Sequence, residues 1–321
     1  MLKRFIFLLS KEDAEYDDLV KDIKETVRYL EENGVRSDYC MLDQKDSTDI
    51  ISKKIEELLD KEKKNDPDIL DNSLFMTDSS EIAMVAERHH MNVLGILHKY
   101  NVDTKFEGLK FIFTDIAEIE FDSFLKSYQR LEGIPWDVLE TKRCLVRETK
   151  LEDVDYFYEI YKDPEMTRYM EGLFENPEDE KRYTRDYIDK VYAFLGFGTW
   201  TIIEKESGDI IGRAGFSIRN GFENVELGFL IGVKYQNKGY AQEVCSAIMD
   251  YGKEILQFDK VQAMVKKENL VSIHILKKLG FKSVKEVDIE ENIYGNSYHD
   301  GKQVDLTKAH YGKYVQMIWS K

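Results

Sequence analysis

The stretch VELGFLIGVKYQNKGYAQEVCSAIMDYG, Val225 to Gly252, holds six residues better suited to binding an anion than to packing. Gln236, Asn237, Lys238, Gly239, Tyr240 and Ala241 lie between an apolar run that reads as a buried strand and a helical pattern. A helix N-terminus leaves its first N–H groups unpaired and carries the positive end of the macrodipole, so a phosphate is favoured there. Gly239 allows close backbone approach, Ala241 leaves room beside the first helical turn, and Lys238 adds charge. The loop is neither GxxxxGK[ST] nor GxGxxG, and one-glycine connections of this kind also occur with no ligand. The three cysteines, Cys40, Cys144 and Cys245, lie far apart, without CxxC or metal-ligand spacing. No metal is expected, and a reduced, cytoplasmic setting suits them. Cys245, on a helix expected to pack, is a poor nucleophile.

The elements that must position this loop form two successive α/β patterns, as a length of 321 residues suggests. The first has strands at Phe5–Leu9, Tyr39–Leu42, Ser73–Thr77, Val93–Leu97 and Lys110–Thr114. Its helices are Tyr16–Glu32, Ser47–Lys61, Ser80–His89 and Phe121–Gln129. Such alternation predicts a three-layer domain with a mostly parallel sheet over residues 1–132. Residues 133–141, with Gly133 and Pro135, read as a linker. From 142 to 321 come a strand Cys144–Arg147, helices near Leu151–Tyr161 and Pro177–Phe194, and β-runs Thr199–Glu204, Ile210–Ile218 and Val225–Val233. A helix Gln242–Leu256, a strand Lys260–Val265, a helix Leu270–Leu279 and late β-segments follow. No stretch has the length to span a membrane, and Phe5–Leu9 is too short for a signal peptide.

Charge is uneven. Residues 1–140 hold 19 Lys and Arg against 32 Asp and Glu, and the remainder 27 against 30. Nucleic acid would be repelled by the first part and a basic substrate attracted, although such a surplus also simply maintains solubility.

The order hairpin, strand, QxxGxA loop, helix, strand and KENLVSIHILKKLGFK resembles the GNAT acetyltransferase superfamily, in particular its branch acting on the amino termini of ribosomal proteins. Gln236–Ala241 matches its pyrophosphate motif, and Asn269, Ser272 and the KLGF at 278–281 match its later motif. The resemblance implies a mixed, splayed sheet and acetyl-CoA as co-substrate. Main-chain N–H groups from Gln236 to Ala241 would grip the diphosphate, Ile231 and Val233 would pair with the pantetheine amides, and Gly232 would suit a bulge or a simple kink. A backbone N–H near Ile231 or Gly232 would polarise the thioester carbonyl. Asn269 would bond the diphosphate or pantetheine arm, or only cap the following helix.

Acetyl transfer needs a free-base amine, since an ammonium cannot attack. Glu226 occupies the family's general-base position; the alternative is an ion pair with Arg213 or Arg219. Many members place a tyrosine where this chain has Leu276, so the acid is open: Ser272 matches the amino-terminal branch, and His274 lies nearby. A thiolate also leaves unaided. The acceptor is a small-molecule or peptide amine. The run containing Tyr169, Glu171, Glu175, Glu178, Asp179 and Glu180 forms an acidic-aromatic rim or merely a solvated helix face, and Tyr294 and Tyr298 are equally ambiguous. The oligomeric state stays open, a dimer included.

The first part is similar to haloacid dehalogenase-like (HAD) hydrolases around Thr77-Asp78-Ser79, but its first strand lacks the nucleophilic DxD. It reads as a degenerate, non-catalytic Rossmann-like domain, with Asp78 and Asp115 as Mg²⁺ ligands or, more commonly, helix caps. The alternative to an enzyme is a regulatory module that senses acyl-CoA or recruits a protein.

Overall fold

The computed structural model describes residues 1–11, 17–43, 46–64, 66–291, 298 and 310–321. It divides into two compact units, Met1–Ile134 and Pro135–Lys321.

The first unit is a five-stranded, all-parallel sheet in the order β2-β1-β3-β4-β5. The strands are β1 (Arg4–Lys11), β2 (Arg36–Asp43), β3 (Ser73–Thr77), β4 (Val93–Leu97) and β5 (Ile112–Thr114). Helices α1 (Asp17–Glu32) and α4 (Phe121–Leu131) cover one face through Ile23, Leu30, Phe124 and Tyr128. Helices α2 (Thr48–Lys63) and α3 (Ser80–Arg88) cover the other through Ile51, Ile55, Ile82 and Ala86. Burial on both faces explains why β1 and β3 read as unbroken apolar runs. Asp78 caps no helix. Ser79 caps α3, and the Asp78 carboxylate accepts from Ser10 N at 2.7 Å and Ser10 Oγ at 3.0 Å. Asp115 precedes a 3₁₀ turn in the left-handed region, φ 50°, and its side chain makes no cap hydrogen bond.

The second unit is an eight-stranded mixed sheet in the order β12-β13-β11-β10-β9-β8-β7-β6. Its strands are β6 (Asp137–Glu140), β7 (Cys144–Arg147), β8 (Thr199–Glu204), β9 (Ile210–Ser217), β10 (Val225–Ile231), β11 (Lys260–Lys266), β12 (Lys282–Glu291) and β13 (His310–Ser320). The segment expected as a linker thus contributes edge strand β6, paired with β7. Helix α5 (Asp153–Tyr161) lies against β9, and the long helix expected after it breaks into α6 (Pro177–Asp186), a π-turn over Tyr187–Tyr192 and a last turn α7 (Ala193–Leu195). The π-turn brings both tyrosines onto β8: Tyr187 Oη accepts from Thr199 N and Tyr192 Oη donates to Thr199 O. Helix α8 (Tyr240–Glu254) covers the sheet with Val244, Cys245 and Ile248, packed with wholly buried Trp200 and Phe216. Helix α9 (Leu270–Lys278) follows β11.

Candidate functional site

Parallel strands β10 and β11 pair only at Val225–Val261 and Glu226–Gln262, whereas β10 stays paired with β9 through Ile231. Beyond Glu226 the two strands part and leave one edge of β10 open. Gln262 pins the vertex. It is wholly buried, donates to Asn224 O at 2.8 Å and accepts from Gln316 at 2.9 Å. Because β10 and β11 run parallel, their carboxyl ends sit on the two arms of the opening, each followed by a helix N-terminus.

On the β10 arm, the strand stops at Ile231, two residues earlier than its apolar pattern predicts. Gly232 has φ −55° and ψ 141°, and Val233–Tyr235 form a 3₁₀ turn. The Gly232 N–H donates to Ile211 O at 2.8 Å, so Gly232 continues the sheet contact with β9 and forms neither bulge nor oxyanion donor. The Gln236 side chain donates to Ile231 O at 2.8 Å, tying the loop to the strand end. Asn237 (φ 59°) and Gly239 (φ 81°) adopt left-handed conformations, and no described side chain caps α8. Lys238 and Lys234 stand 5.5 and 5.0 Å from the Tyr235 ring.

Arg143, which the sequence did not single out, completes this arm. Its guanidinium lies 4.1 Å from the Tyr240 ring, donates to Lys238 O at 3.0 Å and binds Glu243 at 2.7 Å. No motif marks it; 95 residues separate it from the loop it holds. The Tyr240 hydroxyl donates to Glu204 at 2.6 Å, which pushes its pKa up to about 12.

On the β11 arm, Asn269 caps α9 by accepting from Ser272 N at 3.1 Å. The two matched residues therefore form one cap. His274 is exposed, and Leu276 is wholly buried, so the position held by tyrosine in many GNAT enzymes belongs here to the core.

At the vertex, Glu226 is 7% exposed and is gripped by both Nε and Nη2 of Arg219, the latter at 3.0 Å. The ion-pair alternative is thus present, with Arg219 as the partner. The expected acidic rim divides. Glu180 and Asp179 are buried, the latter bound to Arg182 at 2.8 Å, whereas Glu171, Glu175 and Glu178 are exposed. Tyr298 donates to Asp186 at 2.7 Å; Tyr294 lies outside the described residues. Burial pushes the Cys144 thiol up to about 11 and Cys245 further still. All three cysteines are unpaired. Among the described residues no group of three or more His, Cys, Asp or Glu could hold a metal ion, and no helix is long and apolar enough to cross a membrane.

Residues 143–282 match the family model for an acetyltransferase (GNAT) domain. The uncharacterized N-acetyltransferase p20 of Bacillus licheniformis is 32% identical over 151 residues, 45% of this chain and 82% of that protein. The chain belongs to the GNAT acetyltransferase family. It is a GNAT-family N-acetyltransferase. Spermidine N(1)-acetyltransferase of Escherichia coli K12 is 28% identical over 137 residues, 42% of this chain and 71% of that enzyme. A GNAT-family acetyltransferase structure from Bacillus anthracis covers 57% of this chain and 97% of its own, at 20% identity and TM-score 0.43.

Proposed function

We propose that the GNAT unit transfers an acetyl group from acetyl-CoA to a primary amine by direct attack in a ternary complex. The observation that carries this is the parting of β10 from β11 directly after Glu226, with helix N-termini on both arms. The Gln236 N–H is spent on Val233 O at 3.1 Å, so the N–H groups of Asn237 to Ala241 receive the diphosphate, with Arg143, Lys234 and Lys238 supplying positive potential. The open edge of β10, Leu227 to Ile231, pairs with the pantetheine amides as a further strand would. Gly232 and Val233 border that edge rather than pair along it. Asn269 holds the arm from the β11 side. The thioester then lies near the vertex. Glu226 accepts the ammonium proton, directly or through water, once Arg219 shifts its grip, and Ser272 solvates the leaving thiolate. The names of the spermidine-acetylating relatives make small amines the first acceptors to test.

Two observations favour a second reading, an acyl-CoA-sensing module: Glu226 is already neutralised by Arg219, and the tyrosine position is filled by core Leu276. Calorimetry with CoA, together with free-thiol release from acetyl-CoA in the presence of amines, separates the two. Acceptor-dependent turnover supports the enzyme, whereas binding without turnover supports the sensor. The same reading takes the first unit as a degenerate HAD-like domain without catalysis, and the cytoplasm as the setting.

A further inference from the structure

Residues opposite one another in an antiparallel pair share a face, and every second residue returns to it. Leu230 pairs with Arg213, Gly228 with Gly215 and Glu226 with Ser217. Glu226, Gly228, Leu230 and Arg213 therefore share the face that carries α5, while Leu227 and Ile231 enter the core beneath α8. A Cβ built on Gly228 would meet nothing within 4 Å. Open space thus sits over Gly228, and the register places Glu226 two residues before it on β10 and Arg213 opposite Leu230, two residues after it. Four residue steps along the strand, from Glu226 to the Leu230 opposite Arg213, span about 13 Å, a distance that a small amine of lysine length bridges together with the two side chains.

The ends differ in charge balance. Glu226 is neutralised by Arg219. Arg213 stacks 4.5 Å from the Phe157 ring of α5, and its Nε is buried with no hydrogen-bond partner among the described residues. No carboxylate among the described residues lies within ion-pairing distance of it. Burial disfavours its charge, yet Tyr161, Tyr192, Glu180 and Tyr183 around it hold its pKa above the usual guanidinium value. Burial pushes the Glu180 carboxyl up, towards its neutral form. A guanidinium that stays charged there with its Nε unpaired keeps donor capacity for an anionic ligand.

We propose that Arg213 is a specificity residue that anchors an anionic group on the acceptor, so that the preferred substrate is a small primary amine bearing a carboxylate or phosphate rather than a bare polyamine. The proposal rests on the acetyl-transfer reading and narrows it. The guanidinium stays stacked on Phe157 and offers its donors to the acceptor's oxygens. The amine is thereby placed over Gly228, between the thioester and Glu226.

The test uses the full-length protein, acetyl-CoA and acceptors that differ in one group: lysine against cadaverine, phosphoethanolamine against ethanolamine, with spermidine as the polycation. The wild type should prefer the anionic member of at least one pair by about tenfold or more in kcat/KM. The responding pair identifies carboxylate or phosphate. Arg213→Gln should collapse that preference while leaving CoA affinity by calorimetry unchanged, and Arg213→Lys should keep part of it. Gly228→Val, which fills the space without touching Arg213, should raise the acceptor KM with CoA affinity intact. Turnover that ignores the anionic group, favours spermidine or cadaverine, or falls equally for both members in Arg213→Gln overturns the proposal. CoA binding without turnover of any amine instead overturns the acetyl-transfer reading, and this inference with it.

Discussion

Asp78 and Glu226 are both buried carboxylates at a strand end, one in each unit, and their surroundings differ. Asp78 is 3% exposed and held by the amide and hydroxyl of Ser10, with His98 Nε2 at 3.5 Å and its own carbonyl bonded to Asn101. The strands on both sides of it stay paired. Glu226 is held, among the described residues, by one side chain, the partly exposed Arg219, and stands where two strands part. The comparison teaches how differently two strand-end carboxylates can be set: Asp78 is fixed by main-chain and side-chain donors between paired strands, whereas Glu226 has a single side-chain partner among the described residues, at the point where the sheet opens.

The sharpest way to break that comparison is a matched pair of amides. Glu226→Gln should lower kcat by about a hundredfold or more, the scale of a lost general base, with CoA affinity unchanged. Asp78→Asn should leave acetyl transfer intact and destabilise its unit by roughly 1–3 kcal/mol, the cost of mismatched buried hydrogen bonds, read as a lower denaturation midpoint. If the two variants behave alike in the transfer assay, the distinction fails. Next in size is Gly239→Val. A branched residue at φ 81° costs roughly 1–2 kcal/mol, so CoA should bind about tenfold more weakly while an acceptor's KM stays put.

A smaller effect tests the clamp on the phosphate-loop arm. Burial alone would raise the Glu243 carboxyl, but hydrogen bonds from Thr141 and Arg143 hold it below the usual range. A depressed carboxylate stabilises the fold fully above its unfolded value, about 4.3, and loses that contribution as pH falls through the lower folded value. Glu243→Gln should therefore flatten this part of the acid-unfolding profile, and an unchanged profile would refute the clamp. The smallest effect is expected for Cys245→Ala. The thiol is buried and held protonated, so acetyl transfer should stay within about twofold; a large loss would revive a covalent acyl-enzyme.

Alternation of strands and helices was legible wherever burial imposes a period, as in β3 and β8, whose limits match the pattern. It misled at the end of β10, where Gly232 and Val233 remain apolar but the chain turns into a 3₁₀ segment. The helical period also held from Pro177 to Leu195, but it did not show the π-turn over Tyr187–Tyr192, which sets both tyrosines against Thr199. The phosphate loop was readable because its signal is local. The Arg219 pair with Glu226 was offered by the sequence, but Arg143 and Arg213 were harder to place: their contacts with Tyr240 and Phe157 depend on strand register that no short-range spacing encodes.

Gly228 has a further consequence. It lies in regular strand, and a Cβ there would meet nothing within 4 Å. Alanine, serine or threonine there would reshape the chamber without disturbing the hydrophobic interior. On the proposed acceptor placement, single substitutions at this position should change which amines are taken, and a small saturation library there would chart them.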